Sequence, residues 1–456
     1  MQRTCMTFLK EWLHSDDRRP LIIRGARQVG KTWVVNELVT SEGRKLIELN
    51  LEKKPEYVSL FSSNDPQSIL VNISSFAGTI DPKKSVLFLD EIQAAPELLA
   101  KLRWFAEEMP ELPVIAAGSL LEFVLAQHTF SMPVGRIQYM HLEPLSFEEF
   151  LQAHDKNGLV EYLKKYQLES TVPEAVHHEL MSFVKEYIIV GGMPQAVNNW
   201  VTKKSLANIH RIHSDLIATY RDDFNKYNGR LSIERLAEVI KAVPFCLGQK
   251  FMYSKVNPDV QSSSIKQALD LLCKAKVCHK VFGSSANGVP LGAEVQDKYL
   301  KVLFLDVGLC SSLLGLALDQ LNATADLTLV NIGGISEQVV GQLLRTIFPF
   351  YSEPELYYWH RNEKGSNAEI DYVIQFRTNV VPLEVKSGST GSLKSLHFFM
   401  DLKQYSYAVR VNSDVPSKVE VSVKDHEGNS IKYTLVSIPY YVLGELPRLL
   451  ADVIKS

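Results

Sequence analysis

The sequence predicts an α/β chain in three parts. These are an N-terminal parallel sheet covered by helices, a mainly helical middle ending in a helix and hairpin, and a C-terminal domain of αβββαβ order. Three observations predict it. Residues 1–150 alternate short apolar runs with helical stretches. From about 150 to 280 the apolar residues recur at helical spacing. From 335 an amphipathic segment precedes three strand-like runs, a second amphipathic segment and a fourth run. The expected domains are 1–158, 159–302 and 303–456, since 456 residues exceed one ordinary domain.

In the first part, LIIRG (21–25) leads into a helix from Lys31, and KLIELNL (45–51) precedes a helical and loop region. SVLFLDE (85–91) precedes a helix from Pro96 to Glu108, and LPVIAAGS (112–119) follows. Short apolar strands between helices belong in a parallel sheet buried on both faces. In the middle, FEEFLQAH, 175–190 and 205–226 read as helices. IKQALDLLCKAKVCHKVF (265–282) reads as a helix feeding a strand, and VPLGAEVQDKYLKVLFLD (289–306) supplies further strands. That order suits a winged-helix module. In the last part SEQVVGQLLRTIF and LKSLHFFMDLK are the helices, and LYYWHR, EIDYVIQF, VVPLEVKS and YSYAVRVN the strands.

Bulk properties narrow the classes. A net charge of -3 gives no global pull toward nucleic acid or anionic membrane, so any such contact needs a local patch. The five cysteines (Cys5, Cys246, Cys273, Cys278, Cys310) are odd in number and lack CxxC spacing, which predicts reduced thiols rather than a disulfide frame or zinc site. No run approaches the roughly 20 apolar residues of a membrane span. MQRTCMTFLKEWLHSDDRR has no apolar signal core. The expected location is the cytoplasm, with no membrane partner.

Gly25-Ala26-Arg27-Gln28-Val29-Gly30-Lys31-Thr32 matches GxxxxGK[ST] between a buried strand and a helix. Its glycines let the backbone wrap phosphates, and the loop amides with the helix N-terminus supply partial positive charge. Residues 25–33, through Trp33, form the expected ATP-binding segment. Lys31 reaches the β and γ phosphates and the Thr32 hydroxyl ligates Mg²⁺. Arg27 lies in the loop near phosphate, at a position the motif leaves unconstrained. Val86-Leu-Phe-Leu-Asp90-Glu91 is an apolar strand ending in two carboxylates. Asp90 is the expected Mg²⁺ partner and Glu91 the general base for the attacking water. Ser119, after VIAAG, is placed to sense the γ phosphate, although a polar turn residue after any buried strand looks the same. Arg136 has two readings of equal weight, neutralising transition-state charge or standing in solvent.

With GARQVGKT, LFLDEIQ, AAGSLLEF and HLEPLSFEEF in this order, the first 150 residues resemble a prokaryotic AAA-type P-loop ATPase family. Gly191-Gly-Met-Pro194, Tyr220-Arg-Asp-Asp223 and Phe304-Leu-Asp306-Val-Gly308-Leu are similar to marks of that family's C-terminal region of unknown function. The resemblance implies ATP binding and hydrolysis in a P-loop NTPase domain, a winged-helix-like middle and a restriction-endonuclease-like C-terminal domain. WHR at 359–361 departs from the pattern, because His360 separates aromatic and arginine.

Apart from the family, Asp371, Glu384 and Lys386 have the arrangement of a PD-(D/E)xK nuclease. Asp371 is on one strand of an expected hairpin and Glu384-Val-Lys386 on the next, with Glu384 and Lys386 on one face. Two carboxylates meeting there, with Glu337 from the preceding helix, would hold Mg²⁺ or Mn²⁺. Lys386 would orient or deprotonate water. Alternating charge on an exposed sheet face gives the same ExK pattern, but Val381, Pro382, Leu383 and Val385 suggest that this strand is not simply solvated.

Between 241 and 301 nine lysines face four acids, an excess that suits a DNA phosphate footprint without strong sequence specificity, or a solvated helical face. Two functions follow. One is an ATP-dependent nucleic-acid enzyme with a metal-dependent nuclease. The other is an ATP-switched DNA- or protein-binding regulator with an inactive nuclease fold. A single P-loop specifies no oligomeric state.

Overall fold

The computed structural model describes residues 2–119, 121, 132–223, 233–316, 332–361, 368–388, 392–424 and 430–454. The chain divides into two compact units. The first comprises Met1–Pro144, Lys274–Val277 and Phe348–Glu353, and the second Leu145–Cys273, Cys278–Ile347 and Pro354–Ser456.

The first unit is built on a five-stranded parallel sheet: β1 (Leu21–Arg24), β2 (Lys45–Asn50), β3 (Ser85–Asp90), β4 (Val114–Ala117) and β5 (Gln138–His141), in the order β2-β3-β4-β1-β5. β3 and β4 are buried along their whole length, as apolar strands covered on both faces must be. Leu87, Leu89, Leu99, Leu102, Phe105 and Ile73 belong to one core cluster that fixes the helices Pro66–Ala77 and Leu98–Glu108 on the sheet. The ends of β1, β3 and β4 come together through register: Ile23 pairs with Ala117, and Ala117 with Asp90. In open α/β sheets ligands bind beyond these carboxyl ends.

The second unit carries an eight-stranded mixed sheet: β6 (Cys278–Ser284), β7 (Val295–Phe304), β8 (Leu356–His360), β9 (Glu369–Phe376), β10 (Asn379–Val385), β11 (Tyr407–Asn412), β12 (Ser417–Lys424) and β13 (Ser430–Pro439). Their order is β12-β13-β11-β10-β9-β8-β6-β7. The helix Ile332–Thr346, strands β8, β9 and β10, the helix Lys394–Lys403 and β11 realise the expected αβββαβ order. β8, β9 and β10 are successive antiparallel neighbours, and β10 pairs parallel with β11.

Two features depart from expectation. β6 and β7 form the foreseen hairpin, but β6 also pairs in parallel with β8, so the hairpin extends the C-terminal sheet. A boundary at 302/303 falls inside β7. The physical reason is edge pairing. An isolated hairpin is marginal in water, and β8 satisfies the open backbone of β6. Local order in the sequence does not reveal which edge a strand will find. Likewise the first unit's leading segment ends at Pro144 rather than 158, and the helix Phe147–Ala153, opened by a Ser146/Glu149 capping box, belongs to the second unit.

Candidate nucleotide site and C-terminal acidic cluster

β1 delivers the chain into the loop 25–30, and the helix Lys31–Ser41 leaves it. Gly25 has φ 154°, and a Cβ there would meet the Leu142 carbonyl oxygen at 2.4 Å, so only glycine lets the strand turn this closely. The Lys31 ammonium points back into the loop, donating to the carbonyls of Gly25 (3.0 Å) and Ala26 (2.8 Å). Ala26 and Val29 are buried, Arg27 is half-buried, and Gln28 and Trp33 are exposed. Arg3 braces the loop, donating to Val29 O at 3.0 Å and Glu143 O at 2.8 Å. This residue escaped the sequence reading because its 26-residue separation from Val29 leaves no local signal.

Asp90 ends β3 beside the helix N-terminus. Its Oδ2 accepts from Thr32 Oγ1 at 3.4 Å and from Asn50 Nδ2 at 3.1 Å. Burial first, then Glu91 and Glu48, push the Asp90 carboxyl up to about 6. A buried carboxylate with that destabilised charge and a hydroxyl beside it fits a hard cation's oxygen donors, so Thr32 and Asp90 would hold Mg²⁺. Glu91 follows in the left-handed region (φ 53°, ψ 46°), and its Oε2 accepts from Gln93 Nε2. Gln93 also packs on Gly118, where an added Cβ would lie 2.3 Å from Gln93 Oε1. Ser119 is buried just beyond the residue paired with Asp90. Arg136 is held by Glu107 on the surface, Nε to Oε1 2.6 Å, and Glu107 also pairs with Arg103. Asn50 and Gln93 were not singled out in the sequence; the available signals were a polar residue closing the run KLIELN and an amide two residues after Glu91.

In the second unit the structure brings Glu337, Asp371, Glu384 and Lys386 into one cluster and adds two residues, Lys301 and Glu369. Asp371 Oδ2 accepts from Val385 N at 2.8 Å across the β9/β10 pair, and Lys386 Nζ lies 2.7 Å from Glu384 Oε1. Lys301, on β7, places its Nζ 2.9 Å from Glu337 Oε2, 2.5 Å from Glu369 Oε1 and 3.7 Å from Asp371 Oδ1, with its side chain 4% exposed. Burial opposes the Lys301 charge, but Glu337, Asp371 and Glu369 outweigh it and raise its pKa. Glu337 and Glu384 are both held above the ordinary carboxylate range, first by burial. A lysine inside the apolar run YLKVLFLD was the available signal for Lys301. Glu369 stands two residues before Asp371, on the same strand face.

This set does not fit a divalent metal as expected. Among the described residues no group of three or more His, Cys, Asp or Glu side chains is arranged to hold an ion. An ammonium stands among three of the four carboxylates. Glu384 Oε2 is buried without a hydrogen-bond partner, while Lys301 and Lys386 engage oxygens of Glu337, Glu369 and Glu384 that Mg²⁺ or Mn²⁺ would need.

The sequence marks at Gly191–Pro194 and around Asp306 converge on a separate buried network. Asp306 Oδ2 accepts from Gly192 N (2.6 Å) and Gln342 Nε2 (3.0 Å), and Oδ1 from Gly308 N and Leu309 N. A Cβ on Gly191 (φ 74°) would sit 1.9 Å from Asp306 Oδ1. Pro194 then opens the helix Pro194–Lys203. Tyr220 and Asp223 are buried on the last turn of the helix Leu206–Asp223. Of the nine lysines, Lys276, Lys280 and Lys301 are engaged by acids, while Lys241, Lys250, Lys255, Lys266, Lys274 and Lys298 are exposed. Among the described residues no helix is long and apolar enough to cross a membrane.

Comparison with known families divides the chain. Residues 17–151 match the family model of an AAA domain, 181–320 a domain of unknown function (DUF8612), and 332–439 another (DUF4143). No curated protein matches the chain. Solved structures similar to it include the Thermotoga maritima Holliday junction branch migration motor RuvB (14% identity, 60% of this chain and 86% of that one, TM-score 0.28). The Aeropyrum pernix ORC2 protein is another (12%, 70% and 92%, 0.31), and the same organism's ORC1 protein in complex with DNA a third (11%, 68% and 89%, 0.27). Over residues 17–151 the chain thus carries the sequence marks of an AAA-type P-loop ATPase domain.

Proposed function

We propose that the first unit binds Mg-ATP and hydrolyses it, and that its nucleotide state governs how the chain engages nucleic acid. The observation that carries the first claim is the convergence of Lys31, Thr32 and Asp90 at the mouth of a glycine-bounded loop. Lys31 exchanges its two carbonyl partners for phosphate oxygens, and the amides of residues 26–33 cradle the phosphates. Mg²⁺ held by Thr32 and Asp90 would neutralise charge on the phosphate oxygens. Glu91 takes the proton of the attacking water, with Gln93 fixing the carboxylate's direction. Ser119 contacts the γ phosphate or that water. Arg136 serves catalysis only after leaving Glu107. Lys31→Ala abolishes nucleotide binding, and Glu91→Gln keeps binding while slowing turnover by about 10²-fold or more. Wild-type turnover in Glu91→Gln removes Glu91 from the role of base.

For the second unit the reading favoured is a restriction-endonuclease-like fold that binds DNA without cutting it. The αβββαβ core supports the fold, and Lys301 among the carboxylates disfavours cleavage. The exposed lysines of this unit, Lys241, Lys250, Lys255, Lys266 and Lys298, support contact with phosphates and predict affinity that falls steeply with salt. A second reading has Glu337, Asp371 and Glu384 holding Mg²⁺ or Mn²⁺, with Lys386 at the scissile phosphodiester. It is supported by the meeting of Asp371, Glu384 and Lys386. Metal-dependent cleavage by wild type, lost in Asp371→Ala, would establish that reading. DNA bound but uncut supports the first.

A further inference from the structure

We infer that Lys301 is the resident cation of the C-terminal acidic cluster, standing in the place that a divalent ion would take, so that this cluster binds no divalent metal in the native chain. The inference deepens the non-cutting reading of the second unit and rests on it, but it is independent of ATP hydrolysis in the first.

The geometry assigns the role. Lys301 Nζ is within hydrogen-bond distance of Glu337 Oε2 and Glu369 Oε1, and 3.7 Å from Asp371 Oδ1. These oxygens arrive from two elements: Glu337 from the helix Ile332–Thr346, and Glu369 and Asp371 from the first and third residues of β9. An ammonium has three donor hydrogens and no acceptor, so two direct carboxylates and a third nearby saturate it. The nearby face of Tyr358, 5.2 Å from Nζ, adds a ring quadrupole to the same cation. β7 positions the lysine rigidly, because Lys301 pairs with Val281 in the middle of the β6/β7 ladder. The other side of the cluster is closed too. Asp371 Oδ2 is taken by Val385 N, and Glu384 Oε1 by Lys386. A divalent ion entering here would have to displace a buried positive charge that has nowhere to go within a paired strand, and like-charge repulsion opposes both at once.

Removal of the lysine should therefore create a metal site. Without Nζ, Glu337, Glu369 and Asp371 are carboxylates around an empty cation position, the oxygen-rich donor set that Mn²⁺ prefers.

The test titrates Mn²⁺ into the nucleotide-free full chain and reads the loss of the free-ion paramagnetic resonance signal. An Asp90→Asn background silences the P-loop site. Wild-type second-unit sequence in that background should bind no Mn²⁺, and Asp371→Ala or Glu337→Gln should change nothing. Lys301→Met should gain one Mn²⁺ per chain, and adding Glu337→Gln should weaken that binding at least tenfold. Mn²⁺ bound by the chain with Lys301 intact and lost in Asp371→Ala would overturn the inference. So would a folded Lys301→Met chain that gains no ion. If Lys301→Met fails to fold, the comparison of the Lys301 chain with Asp371→Ala still decides the matter. ATP turnover, measured with Asp90 restored, reports separately on the first unit.

Discussion

His213 is buried on the helix Leu206–Asp223, with Nε2 donating to the Val190 carbonyl at 3.1 Å and Nδ1 without a hydrogen-bond partner. Burial lowers its pKa to about 4. The unfolded chain, with an ordinary histidine near 6.5, therefore binds more protons than the folded one between these values. Stability attributable to this residue is complete above about pH 6.5 and is lost as pH falls toward 4, by up to ~3 kcal/mol. Denaturant unfolding of wild type and His213→Gln across that window should show a smaller acid loss in the variant. Equal slopes would mean that His213 is solvated or protonated in the fold. Asp90 and Glu91 differ in the same local way. One is buried beside Asn50 and Thr32, and the other stands in a left-handed turn under Gln93. The separate roles proposed for them, metal partner and base, rest on that difference of environment rather than of residue type.

At the scale of elements, the turn after the helix Glu174–Val190 meets the helix start Val307–Leu313 through one carboxylate, Asp306. Asp306→Ala would leave Gly192 N, Gly308 N and Leu309 N without their side-chain acceptor in a buried place, and Gln342 Nε2 with Tyr187 Oη alone. Each such donor costs about 1–3 kcal/mol, so the loss should exceed ~3 kcal/mol by chemical denaturation. Asp306→Asn, which keeps an acceptor, should lose less. Gly191→Ala should be as damaging as Asp306→Ala, for its Cβ has no room. The strands and helices of both units were largely readable, because β3, β4 and β10 are apolar runs and the helices are amphipathic. The sheet order was not. β6 pairs with β8 across a separation no local pattern encodes, and β13 enters between β11 and β12, beyond the six elements the αβββαβ reading contained. The P-loop and Asp90/Glu91 were legible because phosphate chemistry fixes both residue type and spacing. The C-terminal acids were legible individually, but Lys301 lies 70 residues before Asp371 and joins the cluster only through the sheet.

At the scale of the whole molecule, the function proposed from the P-loop domain, the exposed lysines and the lysine-filled acidic cluster is that of an ATP-governed binder of nucleic acid. Such a chain should hold DNA with an affinity that falls linearly in log-log form as salt rises, show little sequence preference, and leave linear and branched DNA intact in Mg²⁺ or Mn²⁺. The ATP-governed part of that account depends on turnover at the P-loop, whereas the lysine-filled cluster does not. The most direct measurement is phosphate release from Mg-ATP by wild type, Lys31→Ala and Glu91→Gln, with nucleotide binding measured on the same samples. The account predicts release by wild type, no binding in Lys31→Ala, and binding without release in Glu91→Gln. Tight binding by wild type with no release, or release undiminished in Glu91→Gln, would contradict it.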